Sequence, residues 1–314
     1  MLYFIVNEKS RSGKGAKIWR EVQRALHERG VGYKAFVTEA VGHARQLAKK
    51  VCELDGGDIC FVVVGGDGTA NEVIGGITDF DRVRFGVIPT GSGNDLARGL
   101  GIQGSPTECL DEILSCMESE EGTARIDLGM VSWNDGEASR LFAVSAGIGL
   151  DALVCKKALG SKVKDFLNKI HLGKLTYLIL TVQSLFSMDT TDAVGYFDGR
   201  GQRNYKKSIC FAAMNFSAEG GGVPMAPSAS ACDGRLSVCG IFGIPKWRTF
   251  CCLPFLVAAK HTWIRGFEVT DCRECTIRLK RPMVLHADGE YCGDFTEVKF
   301  TCLPRKLRVL RWKE

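Results

Sequence analysis

Three short stretches of this chain carry residues whose types and spacing suit phosphate and proton chemistry. In the first, an apolar run from Phe61 to Val64 stops at Gly65, Gly66, Asp67, Gly68 and Thr69, and Asn71, Glu72, Val73 and Ile74 then read as the start of a helix. Glycines free the backbone so that main-chain N–H groups can approach a bulky anion. A helix N-terminus adds orphan N–H groups and a partial positive charge at the same place. A glycine turn between strand and helix also serves many α/β proteins only to change direction. Asp67 is the more informative residue: a carboxylate inside a phosphate cradle repels the ligand unless a cation lies between them, which points to a Mg²⁺-nucleotide. The second stretch repeats the design, an apolar run from Gly86 through Pro89 and Thr90 into Gly91, Ser92 and Gly93, followed by Asn94 and Asp95. In the third, Val284 to Ala287 run as a strand into Asp288, Gly289 and Glu290. A carboxylate there can accept the proton of an attacking hydroxyl, and the same Asp-Gly pair makes a plain hairpin turn.

Taken together, the loops at 65–69 and 89–95 resemble those of the diacylglycerol kinase and sphingosine kinase family, especially its single-unit bacterial members. The first loop alone is shared with NAD kinases and phosphofructokinases; the second separates the lipid kinases from both. Ser92 departs from the commonest form of that second loop. The resemblance implies an ATP-dependent kinase that moves the γ-phosphoryl group to a lipid hydroxyl, with diacylglycerol as acceptor and phosphatidic acid as product. ATP phosphates would then lie against Gly65, Gly66, Gly68 and Thr69 and against Gly91, Ser92, Gly93 and Asn94, in a cleft between two domains. Asp67 and Asp95 would hold Mg²⁺ through waters. The family counterpart of Asp288 carries the catalytic base, and Glu290 would join Asp67 and Asp95 in a polar network.

The same resemblance assigns lesser roles. The segment Asn7 to Gly15 is no Walker loop, because Glu8 stands where the first glycine belongs and Gly15 where Ser or Thr belongs. It is similar instead to the family's nucleotide-contacting Asn-Pro-x-Ser-Gly segment through Asn7 and Gly13, with Glu8 replacing the proline. Thr38, followed by Gly42, His43 and Ala44, lies where a second nucleotide contact falls; His43 by itself suits a helix cap. Ser145 to Ala152 resembles the stretch lining the head-group site, so Asp151 would hold a lipid hydroxyl or amine, while as a residue type it also suits a helix N-cap. Asn215, with Gly220 to Pro227, matches a stretch beside the cleft. Cys232 to Leu236 resembles the Asp-Gly-x-Leu turn that holds a structural Mg²⁺ in some bacterial relatives, which would make Asp233 a metal ligand; an ordinary turn uses the same Asp-Gly.

These residues need a scaffold of two kinds. The first part alternates strands and helices: Leu2 to Val6, a helix from Lys14 to Arg29, Tyr33 to Thr38, the strand before Gly65, the strand before Pro89 and a helix from Pro106 to Ser119. That rhythm is an α/β fold, a parallel sheet covered by helices; the resemblance implies that this sheet binds nucleotide in the manner of NAD kinase and diacylglycerol kinase. After the charged turn at 118–122 come short strands, at Arg125–Val131, Leu141–Ala146, Ala193–Phe197, Ser208–Met214 and Leu236–Ile241. Helices are expected at 152–159, 175–186 and 246–261. The change of character near residue 124 divides the chain into an α/β domain, 1–124, and a mainly antiparallel β domain, 125–314, whose last strand is expected to pack back on the first; the resemblance implies that the first binds ATP and the second the lipid.

Composition fits a soluble enzyme. The chain has 314 residues, enough for two cores, with 45% hydrophobic and 25% charged residues. No run reaches the roughly 18 to 20 apolar residues of a membrane span, and the start lacks a signal-peptide layout, so a cytoplasmic protein that visits the inner face of the membrane is expected. Net charge of +5 is too small to argue for nucleic acid. Fourteen cysteines without a framework spacing suit a reducing compartment. Cys272 and Cys275 form a lone Cys-x-x-Cys without the second pair of a zinc site, and Cys251 and Cys252 read as core. Two stretches offer membrane contact: the apolar run Phe250 to Ala259, and lysines 156, 157, 162, 164 and 169. A homodimer stays open. Rival readings are an NAD kinase-like nucleotide kinase and a silent lipid or nucleotide sensor, which would have no need of Asp67, Asp95, Asp288 and Glu290 together.

Overall fold

The computed structural model describes residues 1–119, 123–159 and 173–310. Two compact units form, Met1–Asp127 with Pro304–Glu314, and Leu128–Leu303.

In the first unit, β1 (Leu2–Val6) and β3 (Ile59–Gly65) are buried along their whole length. Uninterrupted apolar residues are what a parallel strand covered on both faces requires, and each fully buried Val, Ile or Phe contributes about 1.5–3 kcal/mol. With β2 (Lys34–Val37), β4 (Val83–Pro89) and the end of β14 (Glu290–Leu310), these strands form a parallel sheet in the order β2, β1, β3, β4, β14. Gly65 stands opposite Pro89 in the β3–β4 register, so both glycine loops leave from neighbouring strand ends. The covering helices are α1 (Ser10–Glu28), α2 (His43–Leu54), α3 (Asp67–Gly76), α4 (Asp95–Gly99) and α5 (Pro106–Ser119).

The second unit is antiparallel. Its main path runs β12 (Phe267–Cys272), β11 (Leu236–Ile241), β10 (Cys210–Met214), β7 (Ser145–Gly149), β13 (Glu274–Ala287), β14. β8 (Thr191–Phe197) pairs β13 and β9 (Gln202–Ser208), and β5 (Thr123–Trp133) pairs β6 (Ala138–Phe142). β10 and β11 are buried throughout, whereas β8 alternates buried and half-buried residues, as a strand with one wetter face does. Its helices are α6 (Leu150–Leu159), α7 (Gly173–Ser187) and α8 (Lys246–Val257), the last followed by a 3-10 turn at His261–Trp263.

Two local expectations change. The single strand expected at 141–146 is two strands, β6 and β7, parted at Ala143 and Val144. Cys252 is buried but Cys251 is exposed, so only one of that pair joins the core. Cys272 and Cys275 are free and buried, and burial pushes the Cys275 thiol well above its usual range, so they serve as small hydrophobes. Of the lysine-rich stretch, Lys162, Lys164 and Lys169 lie outside the described residues. Lys156 pairs with Asp294 at 3.2 Å and lies over the Tyr291 ring, and Lys157 donates to Ser187.

Candidate active site

The two glycine loops meet in the first unit, backbone against backbone. A Cβ built on Gly91 would lie 2.8 Å from the Gly66 Cα, and one built on Gly66 would lie 3.1 Å from the Gly91 Cα. Only residues without side chains permit that approach. The Thr90 amide donates to the Gly65 carbonyl at 2.9 Å, extending the β3–β4 ladder into the loops. Asn7 ties the end of β1 to the same place: its amide donates to Val64 O at 2.9 Å and its Nδ2 to Thr69 Oγ1 at 3.1 Å. Ser10 and Thr90 hydroxyls bond at 2.6 Å. Thr38 is buried at the end of β2, its amide on Val6 O. Sequence reasoning missed the role of Glu72, whose carboxylate accepts from the amides of Gly42 and Ala44 at 2.8 and 3.1 Å and so caps α2. His43, the first residue of α2, accepts from the Glu39 amide through Nδ1, a bond that ties the preceding loop to the helix and caps none of the helix's own N–H groups.

Asp67 opens α3 and its Oδ1 accepts from the Leu96 amide at 3.0 Å. Asp95 opens α4 and pairs with Arg98, whose other nitrogen donates to Gly93 O at 2.9 Å. A Cβ on Gly93 would stand 3.2 Å from Asp67 Oδ2 and 3.3 Å from Asp95 Oδ2. Two carboxylate oxygens therefore border the space a side chain would fill, a hard-oxygen donor set that fits Mg²⁺ reached through waters. Gly68 lies in the first turn of α3, Asn94 turns in the left-handed region with its Nδ2 on Gly91 O, and Ser92 is exposed on the loop.

In the second unit the Asp288–Gly289 turn holds the break between β6 and β7. Asp288 Oδ1 accepts from the amides of Val144 and Ser145 at 2.8 and 3.0 Å, and Oδ2 from that of Ala143 at 2.7 Å. Its own amide donates to Ser145 O at 2.8 Å. Asn215 grips the break from the other side, with Nδ2 on Ala143 O and its amide on Val144 O, and is fully buried there. These bonds satisfy backbone groups that no ladder serves, which is why the strand divides. Glu290, two residues on, is half-buried, and its carboxylate has no hydrogen-bond partner among the described residues.

Asp151 does not cap α6. Its Oδ2 sits 3.1 Å from His286 Nε2, and its Oδ1 is buried without a protein partner. The Gly289 amide donates to His286 Nδ1 at 3.1 Å, which fixes Nε2 as the N–H that faces Asp151 in the neutral ring. Burial opposes a charge on His286, but Asp151, with Glu219 and Asp288 behind it, overcomes this and raises the ring above its usual value. Ser145 donates to Glu219, and ligand atoms of Asp151, Glu219 and His286 all lie within 4.8 Å of one another. Glu219 and His286 escaped the sequence reading. Asp233 is apart from this group: it is exposed, and its Oδ1 accepts from the Arg235 amide at 2.9 Å, an Asx turn. No group of three or more metal-ligand side chains includes it among the described residues.

Comparison with known proteins gives these parts a context. Residues 1–131 match the diacylglycerol kinase catalytic domain, and residues 144–311 match the YegS C-terminal NAD kinase beta sandwich-like domain. The Bacillus subtilis (strain 168) protein YtlR, provisionally named a lipid kinase, is 27% identical over 312 residues, covering 98% of each chain. The diacylglycerol kinase of the same organism is 27% identical over 299 residues, covering 94% of this chain and 90% of its own. In fold, the crystal structure of a diacylglycerol kinase from Bacillus anthracis str. Sterne superposes with a TM-score of 0.73 at 18% identity, over 99% of this chain and 96% of that one. With both halves matched in order and relatives aligned from end to end, the chain belongs to the diacylglycerol kinase and YegS-like lipid kinase family.

Proposed function

We propose that this protein phosphorylates diacylglycerol to phosphatidic acid with ATP. The observation that carries the reading is the meeting of two glycine loops, Gly66 against Gly91, with the carboxylates of Asp67 and Asp95 bordering the space at Gly93. Backbone amides of both loops, freed by the glycines, would take the phosphates, with Asn7 and Thr38 as further nucleotide contacts. Asp67 and Asp95 would hold Mg²⁺, which when bound neutralises charge that develops on the phosphate oxygens. In the transfer itself the acceptor hydroxyl gives its proton to a carboxylate, its oxygen bonds to the γ-phosphorus, and the bond from that phosphorus to the bridging oxygen breaks to release ADP. Asp151, half-buried and with its buried Oδ1 unpartnered, would hold a head-group hydroxyl, and Asn215 would position the backbone beside it.

Asp288 is the residue we assign as base. A second reading gives that role to Glu290, because three amides already engage Asp288 while the Glu290 carboxylate has no hydrogen-bond partner among the described residues. The test is transfer of labelled γ-phosphate from Mg-ATP to a panel of lipids in mixed micelles, with NAD in a parallel tube. Label in diacylglycerol supports the proposal, label in another lipid changes the acceptor, and label in NAD alone moves the protein to the nucleotide kinases. No label anywhere with ATP still bound favours a sensor. Removal of a positioned base lowers the rate by about 10² to 10⁴, so the larger loss of kcat per folded protein, in Asp288→Asn or in Glu290→Gln, names the base.

A further inference from the structure

Helix α8 is apolar on the wrong side. It packs inward through Thr249, Cys252 and Leu256, the spacing of one helical face. The outward positions should then be polar, yet they are Trp247, Phe250, Cys251, Pro254, Phe255 and Val257, all exposed. The patch continues on both flanks. Phe186, at the end of α7, is exposed and its ring centre lies 6.2 Å from that of Phe250. Beyond α8, Trp263 in the 3-10 turn is 95% exposed. A group of exposed apolar side chains of this kind marks an interaction surface.

Charge indicates the partner. From Lys246 to Phe267 there is no Asp or Glu, while Arg248, Lys260 and Arg265 surround the apolar face. None of these three has an ion-pair partner among the described residues. Tryptophans beside arginines and lysines, on a helix that exposes apolar side chains, suit the boundary between acyl chains and head groups. Uncompensated basic side chains suit an anionic leaflet, where each contributes about fivefold in affinity. The lysine-rich stretch after α6 is a poorer candidate in its described part, since Lys156 is occupied by Asp294 and Lys157 by Ser187.

We propose that the outward face of α8, with Phe186 and Trp263, docks the protein on an anionic bilayer. This deepens the lipid-kinase reading and rests on it for the choice of partner. The embedded aromatics would give adhesion, and the basic rim would select the leaflet.

Sedimentation with phosphatidylcholine vesicles, with and without phosphatidylglycerol and in the absence of ATP, tests the proposal. Wild-type protein is expected to sediment with the anionic vesicles and to be released by salt. Trp247→Ser with Trp263→Ser should weaken binding about tenfold or more, and Arg248→Glu with Lys260→Glu and Arg265→Glu should abolish the preference for anionic lipid. Both variants should phosphorylate a short-chain, water-dispersed acceptor as wild type does. Vesicle binding that both variants retain in full would overturn the proposal, as would a dimer in light scattering that the tryptophan variant dissolves while vesicle binding is unchanged. If no lipid is phosphorylated but vesicle binding still depends on Trp247 and Trp263, the docking face stands and the kinase reading alone fails.

Discussion

At the scale of single residues, Asp288 and Glu290 differ in what surrounds them, and the difference predicts two kinds of variant. Asp288→Asn swaps one acceptor oxygen for an NH₂ that cannot accept from a backbone amide, leaving at least one donor at Ala143–Ser145 unmet; such a loss costs about 1–3 kcal/mol. Thermal melting should therefore report Asp288→Asn as destabilised, whereas Glu290→Gln should stay within about 0.5 kcal/mol of wild type. Equal melting of the two proteins would mean that the clamp on the β6–β7 break carries little of the structure. His286 supplies a pH dependence. Its folded-state value is raised, chiefly by the hydrogen bond and charge of Asp151 acting against burial. The stabilisation is fully present below the unfolded value near about pH 6.5 and is lost as pH rises through the higher folded value. Urea midpoints should fall on going from mildly acidic to alkaline buffer, and His286→Gln should flatten that slope. The Asp151–His286 pair was invisible in the sequence, because 135 residues separate its members. What unites them is the β7–β13 register, which sets His286 opposite Gly147; a Cβ on Gly147 would stand 1.6 Å from Asp151 Oδ2 and 3.0 Å from His286 Nε2. Gly147 stands in the 145–152 stretch that the sequence singled out, but nothing local in that stretch marks it as the neighbour of His286.

At the scale of elements, the loops at 65–69 and 89–95 were legible because each is local: strand, glycines, carboxylate and helix follow one another within a few residues. Their contact was not legible, since it depends on Gly65 and Pro89 ending neighbouring strands. Gly91→Ala tests it. The new carbon would meet Asn94 Oδ1 at 2.7 Å and the Gly66 Cα at 2.8 Å, and forcing the loops apart should cost about 1–3 kcal/mol and weaken ATP binding. Gly32→Ala serves as control, since nothing lies within 4 Å of its Cβ; it should be neutral or slightly stabilising. Equal ATP affinity in the two variants would separate the Gly66–Gly91 contact from nucleotide binding. The division of the 141–146 strand shows the opposite limit of sequence reading. Leu141, Phe142, Ala143 and Val144 have every local reason to continue as one strand, and three hydrogen bonds accepted by a carboxylate far along the chain decide otherwise.

At the scale of the whole molecule, the first unit is built from both ends of the chain. The last described residues of β14 pair with β4 through Arg308 and Val309, and Leu307, Val309 and Leu310 are fully buried. The Arg305 amide also donates to Asp127 Oδ1 at 2.7 Å. A chain shortened to end at Leu303 would lose three large buried side chains, each contributing about 1.5–3 kcal/mol, from a unit whose whole stability is of order 5–15 kcal/mol. Limited proteolysis should then cut readily within residues 1–127, and resistance equal to wild type would contradict the prediction.

That same strand sets a timetable for synthesis. On the ribosome β4 emerges early, and the strand that pairs it emerges only after the whole of Leu128–Leu303 has been made. At about 5–20 residues per second the wait is roughly ten to forty seconds. Throughout it β4 presents an open row of N–H and C=O groups, the template on which foreign strands assemble. A chain released early never completes the sheet on which the glycine loops stand, and protease would meet it before ATP does.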